Sequence, residues 1–519
     1  MDSQKGSGIG VKGSSTYTDE EVGSDLLLLY KRLVRGSLSY HNLFEKLLGA
    51  GNICDLVVLI FQTRDVRGGK GERKLFTDMM MKLLENYTGL SEKLLPLVIE
   101  YGYWKDLWHL YGFNTTVDSV IENIVVKQYR LDQESEKPSL LVKWIPREDS
   151  KFSALAIRFA ELLFPKEGVK RYRKTTSFLN KVRDTCEIKM CSGNWSKISP
   201  SQVPGRLMFR NKDAFRNTKQ SSKQDRIDCA KSFTEHLLSG KKIAGAETTF
   251  PYEHIQSIIK GGDTLIADAQ FKAIVEKTKE HKGLDKVVVL CDFSGSMESD
   301  KKMPLYNSYS LGILIGQVVT NPVFKNKMLT FDSNPSWVRF EDSWTMSERL
   351  HYLRNSRVSQ GLSTNFEAAA DLVLKDLVDN KVAVEDAPTV LLTITDMGFD
   401  KAKGTQTWES SWESHFQRIT RNFKEYGYTP PTIVCWNVSS YCDDNHSTAH
   451  TPGVIELSGY SPSVLKAVYQ GDFSPQEITA PQESSSPQQS PYSALRTLLD
   501  DKRYDLVRKV MEIDFDAVD

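Results

Sequence analysis

Asp292, Ser294 and Ser296 stand two residues apart around Gly295, directly after the apolar run V-V-V-L-C. Such a run reads as a buried strand, and the turn that ends it delivers one carboxylate and two hydroxyls to the carboxyl edge of a sheet, where ligands of open α/β sheets sit. These hard oxygen donors suit Mg²⁺ or Mn²⁺ better than zinc or a softer metal. Two further pieces follow. The segment G-L-S-T-N-F supplies Thr364 ahead of a helix-like run to Leu374, and T-V-L-L-T-I-T-D-M-G repeats the pattern of an apolar strand closed by an acid, Asp396.

In order and type, Asp292, Ser294, Ser296, Thr364 and Asp396 match the metal-ion-dependent adhesion site of a von Willebrand factor A domain. The resemblance covers roughly residues 285–470. It implies hydroxyl ligation by Ser294, Ser296 and Thr364, with Asp292 and Asp396 binding directly or through water. An open coordination position would then accept an acidic side chain from a protein partner. The alternative is that these groups only hydrogen-bond the loops to each other.

The elements that would carry this site alternate: strand 286–291, helix 308–320, strand 327–332, helix 365–378, strand 389–395, helix 411–425, strand 430–436 and a helix from Ser463. That order predicts a doubly wound parallel sheet with helices on both faces. A Pro, Gln and Ser-rich insertion at 475–491 follows, then a last helix over 493–511 packing back on the same domain.

Residues 1–21 read as a flexible tail, and residues 22–284 as a helical domain. Short helical periods run from Leu26 to Tyr129 with little strand-like alternation. Leu75, Phe76, Met79, Met80, Leu83 and Leu84 form one wide apolar face. Successive short helices predict a HEAT-like α-helical repeat. The junction R-D-V-R-G-G-K-G-E-R-K lacks the order of a phosphate-binding loop and predicts a tight turn, with Glu72 and Arg73 opening the next helix. In Y-G-Y-W-K-D-L-W, Trp104 and Trp108 are expected in the core and Asp106 exposed or capping. Residues 131–149 read as a long polar connection.

The 67 basic and 67 acidic side chains balance overall, but not locally. Residues 1–284 hold 45 basic against 35 acidic groups, the remainder 22 against 32, and residues 151–250 alone 21 against 9. A polyanion partner suits the first half, and mutual docking of oppositely charged halves is the alternative. The densest basic stretch carries Lys166, Lys170, Arg171, Arg173, Lys174, Lys181 and Arg183, interrupted by Tyr172 and Phe178. Arg206, Arg210, Lys212 and Arg216 extend it. Cations that neutralise phosphates, interleaved with rings that stack on bases, suit RNA; a solvated helix face with inward aromatics is the competing reading.

Seven unpaired-looking cysteines fit a reducing, cytoplasmic setting, and no apolar run reaches the length of a membrane helix. Phosphoryl-transfer chemistry at the two aspartates would need a base, basic clamps or a second metal. Arg339 and Lys401 are near strand ends in sequence only, and the nine histidines show no ligand spacing. A non-catalytic protein is expected.

The R-D-V-R-G-G-K-G-E-R-K junction, the Y-G-Y-W-K-D-L-W segment and K-M-C-S-G-N-W-S-K-I resemble a family with a conserved domain of unknown function, itself similar to the TROVE-containing Ro autoantigen. The resemblance spans about residues 23–515. It implies helical repeats able to close into a ring, joined to a von Willebrand A domain. It also implies binding of structured or misfolded RNA, with residues 166–216 facing the RNA.

Overall fold

The structure is a computed structural model that describes residues 8–11, 15–51, 53–241, 243–281, 283–331, 335–355, 366–399, 412–470 and 489–515. Thr364, Lys401 and the insertion up to residue 488 lie outside them. The chain forms two compact units, each assembled from two separate segments: residues 1–49 with 245–501, and residues 50–244 with 502–519. The division expected at 284/285 therefore moves. Residues 22–49 and 245–284 join the sheet, and the last helix joins the helical unit.

The sheet unit opens with a short antiparallel pair, β1 (Gly8–Ile9) and β2 (Ser15–Thr16). Its main sheet contains β3 (Val287–Cys291), β4 (Lys327–Thr330), β5 (Trp337–Arg339), β6 (Val390–Thr395), β7 (Thr432–Asn437) and β8 (Val454–Ser458). The strands lie in the order β5-β4-β3-β6-β7-β8, parallel throughout except for the antiparallel β4–β5 pair. Four of the strands lie where the apolar runs predict them; β5 and β8 were not anticipated.

Alternate residues of a strand point to opposite faces, so β3, β6 and β8, buried at every position, must be covered on both. The helix Ser299–Val318 packs against β3, β4 and β6. Gly312 and Gly316 let it approach closely: a Cβ at 312 would lie 2.4 Å from Cys291 Sγ, and one at 316 would lie 2.9 Å from the Lys327 carbonyl oxygen. From β3 the chain passes to β4 on one side and later to β6 on the other. The carboxyl ends of β3 and β6 thus flank the point where the winding reverses, the usual ligand position of such sheets.

The helical unit contains Cys54–Arg64, Arg73–Asn86, Trp104–Leu110, Thr115–Glu134, Ser153–Leu163, Gly168–Arg183 and Gln224–Leu238, joined by shorter turns. Cys54–Arg64 is buried from Leu56 onwards, which marks it as a central helix. The following junction folds back on that helix's end, with the N–H groups of Lys70 and Glu72 donating to the carbonyls of Gln62 and Thr63 at 3.0 and 2.8 Å. A Cβ on Gly69 would sit 1.9 Å from the Gln62 oxygen, so the turn requires glycine there. Lys70 is fully buried.

Asp106 caps the helix Trp104–Leu110, as one of its two expected roles, and is buried rather than exposed. It accepts from Arg64 Nε at 2.8 Å and from the Tyr103 N–H at 3.1 Å, and Arg73 Nε lies at 3.0 Å. The connection after Tyr129 is also shorter than expected. The helix continues to Glu134, and Asp132 then accepts from the Ser139 N–H and hydroxyl at 2.8 and 2.7 Å. The helix Asp505–Phe515 closes the unit against Cys54–Arg64.

Candidate functional site

The ladder of β3 and β6 pairs Cys291 with Ile394, and the Asp292 N–H continues it onto the Ile394 carbonyl at 3.0 Å. Asp292 and Asp396 therefore leave adjacent strand ends, and both are fully buried. Asp292 Oδ1 accepts from the Ser294 N–H at 2.8 Å, which sets the turn, and the Ser294 and Ser296 hydroxyls lie 3.1 Å apart. Thr395 joins the two loops. Its hydroxyl donates to Asp292 Oδ2 at 3.1 Å and accepts from the Met397 N–H at 3.1 Å.

Asp396 Oδ1 accepts from the Gly398 N–H at 3.0 Å, whereas Oδ2 is buried and has no hydrogen-bond partner among the described residues. A carboxylate oxygen left so is costly in a buried setting unless a proton or cation meets it. Among the described residues no three His, Cys, Asp or Glu side chains converge as metal ligands. A cation here would rely on the serine hydroxyls beside the two aspartates. Thr364, the remaining expected ligand, lies outside the described residues.

One supporting residue was not anticipated. His446, fully buried, donates from Nε2 to the Met397 carbonyl at 2.8 Å and packs its ring edge-on to Phe399 with centroids 4.3 Å apart. Met397 has φ 67°, a left-handed conformation uncommon outside glycine, and this bond helps to hold it. Burial pushes the imidazole down to about 4, so it is neutral near pH 7. The partners are 49 residues apart in sequence, and no local spacing announces them.

In the helical unit, Gly168–Arg183 buries Tyr172, Thr176, Leu179 and Asn180 on one stripe. Lys170, Arg171, Arg173, Lys174 and Lys181 are exposed on the rest, as is Lys166 just before the helix. Arg173 lies 3.3 Å from Glu148 and Arg171 3.7 Å from Glu167. Tyr172 does not belong to this surface: its hydroxyl donates to the Pro146 carbonyl at 2.8 Å and its ring is fully covered. Helical period puts it on the packed stripe, four residues before Thr176. Phe178 instead is the exposed aromatic, at 63 %. Of the remainder, Arg210 is exposed while Arg183, Arg206, Lys212 and Arg216 are half-buried, and Arg216 bonds the Thr234 hydroxyl.

Residues 286–501 match the model of a domain of unknown function, DUF7788. The match ends where the sheet unit ends, at Asp501. The chain is similar to the uncharacterized protein L728 of Acanthamoeba polyphaga mimivirus, at 26 % identity over 492 residues, spanning 88 % of this chain and 84 % of that one. Among solved structures it aligns with the crystal structure of the Deinococcus radiodurans Ro (RSR) protein, at 9 % identity and a TM-score of 0.33, over 94 % of this chain and 95 % of that one. Among the described residues no helix is long and apolar enough to cross a membrane.

Proposed function

We propose that this protein is a non-catalytic RNA-binding protein that holds structured or misfolded RNA on its helical unit. The observation that supports this most directly is the solvent side of Gly168–Arg183, which carries the exposed cations Lys170, Arg171, Arg173 and Lys174 and, further along, the exposed ring of Phe178. The cations would neutralise phosphates, and the ring would stack on an unpaired base. Replacing Lys170, Arg171, Arg173 and Lys174 together by alanine tests the assignment. Binding of a structured RNA is expected to weaken by at least about tenfold at moderate salt, with the slope of log affinity against log salt falling by about 3. An unchanged affinity and slope would remove this face from RNA binding.

A second reading is favoured by Asp396 Oδ2, which has no hydrogen-bond partner among the described residues. The sheet unit would act as a von Willebrand factor A-like adhesion module, with Mg²⁺ or Mn²⁺ held by Ser294, Ser296, Thr364, Asp292 and Asp396. The donor set fits a hard cation: all oxygen, two carboxylates, and one carboxylate oxygen without a partner among the described residues. When bound, the ion would supply an open coordination position for an acidic side chain of a partner protein. Asp292 would orient the Ser294 loop, and Thr395 would keep the two acidic loops in register. On this reading the protein is a metal-dependent scaffold without need of nucleic acid. Asp292→Ala and EDTA should each abolish capture of a cellular partner; retention of every partner under both treatments would sink it.

A further inference from the structure

A second cationic cluster in the helical unit lies apart from the Gly168–Arg183 face and carries more rings. Trp144 and Tyr103 meet edge to face with centroids 5.7 Å apart, both half-buried. Arg73 stands 4.7 Å from the Tyr103 centroid, and Lys105 and Lys143 stand 4.6 and 4.7 Å from the Trp144 centroid. Beside them, Lys151 is 4.5 Å from the Phe152 ring.

The acids that reach this cluster are already committed. Buried Asp106 is shared by Arg64 and Arg73, and Glu187 is taken by Lys143 at 2.6 Å. Lys105 and Lys151 have no carboxylate within ion-pair distance among the described residues. The surplus is felt locally. After burial, the charges of Arg210, Arg73, Lys151 and Lys143 lower the affinity of Lys105 for its proton, and burial with Lys151 and Arg73 does the same to His109.

We propose that this cluster is a nucleotide-recognition site, in which Lys105 and Lys151 take a phosphate and Trp144 stacks on the base. Lys105, half-buried, rests on the Trp144 ring through a cation–π contact. A phosphate offers it a charge-assisted hydrogen bond that is stronger. Its departure removes one of the two ammonium groups over the ring and gives a planar base that place as the phosphate is engaged. Lys143, tied to Glu187, stays behind. A plain anion would use the lysines but not the ring, and a neutral aromatic the ring but not the lysines. The pairing matches a nucleotide, free or at the end of a strand. The site uses none of the residues substituted in the RNA test above, and it stands or falls independently of that reading.

The test titrates full-length protein with ribose-labelled fluorescent ATP and, separately, with a short 5′-phosphorylated oligouridylate, following anisotropy. Lys105→Gln with Lys151→Gln removes both charges while keeping a polar side chain at each position. Trp144→Leu removes the ring, and circular dichroism checks that both variants fold. Affinity is expected to fall about tenfold or more in the double lysine variant and about five- to fifty-fold in Trp144→Leu. Loss seen with ATP identifies a free nucleotide, and loss seen with the oligonucleotide alone identifies a strand end. The proposal is overturned if neither probe binds, or if both bind wild type and variants equally. It is also overturned if an oligoglutamate peptide competes in a manner indifferent to Trp144→Leu.

Discussion

His446 loses its hydration on folding, with the Met397 carbonyl and the Phe399 ring among the neighbours that replace it, which makes it an acid sensor of the sheet unit's stability. Its ordinary value is 6.5 and burial lowers it to about 4. The unfolded chain therefore takes up this proton first. Its contribution is present in full above pH 6.5 and is lost as the pH falls towards 4, amounting to about 3 kcal/mol. Urea midpoints at pH 7 and 4.5 should differ more in the native protein than in His446→Gln, and an equal difference would show that other groups carry the acid sensitivity. Side-chain environment was the least legible level in the sequence. The aspartates could be found because each ends an apolar run. The ring of Tyr172 was expected to face RNA, since a basic stretch conceals which of its members the helical period turns inward.

Strands β3 and β6 were readable because their apolar runs are buried on both faces and need nothing but themselves to be recognised. Strand β8 was not, for an electrostatic reason. Its middle residue, Glu456, is buried and pairs with Lys31 at 2.6 Å, while Glu456 Oε1 accepts from the Ser447 hydroxyl at 2.9 Å and Lys31 donates to Asn445 Oδ1 at 2.8 Å. An acid inside V-I-E-L-S breaks the local pattern, and its counter-charge lies on the helix Asp25–Arg32, more than 400 residues earlier. The same pair explains why residues 22–49 belong with the sheet. Lys31→Met should leave Glu456 buried without its cation and cost about 3–5 kcal/mol, read as a lowered urea midpoint of the sheet unit. Joint replacement of Lys31 by Met and Glu456 by Gln should recover much of that loss. A single variant as stable as the native protein would show that the pair contributes little.

At the scale of the whole molecule, the order of helices before sheet was legible, and the interleaving of the two units was not. Periodicity reports which residues are apolar along an element, but not which unit receives them. The helix Asp505–Phe515 was expected on the sheet, yet Arg503 Nη2 donates to Asp65 Oδ1 at 2.8 Å, Tyr504 donates to Asp65 Oδ2 at 3.2 Å, and Tyr101 donates to the Arg503 carbonyl at 2.7 Å. Asp65 is fully buried. Ending the chain after Asp501 should therefore remove the Arg503 cation and the Tyr504 hydroxyl from this carboxylate, leaving it the Arg67 N–H at 3.0 Å, and destabilise the helical unit by about 3–5 kcal/mol. Limited proteolysis would show new cuts within residues 50–244 while 286–501 persists; an unchanged digest would refute the dependence. The arrangement also sets a timetable on the ribosome. At about 5–20 residues per second, residues 245–501 take on the order of 10–50 s to make. Throughout that interval the helices of 50–244 wait without the Arg503 and Tyr504 partners of Asp65 and the Arg503 carbonyl that Tyr101 bonds, a nascent chain for chaperones to guard until its closing helix emerges.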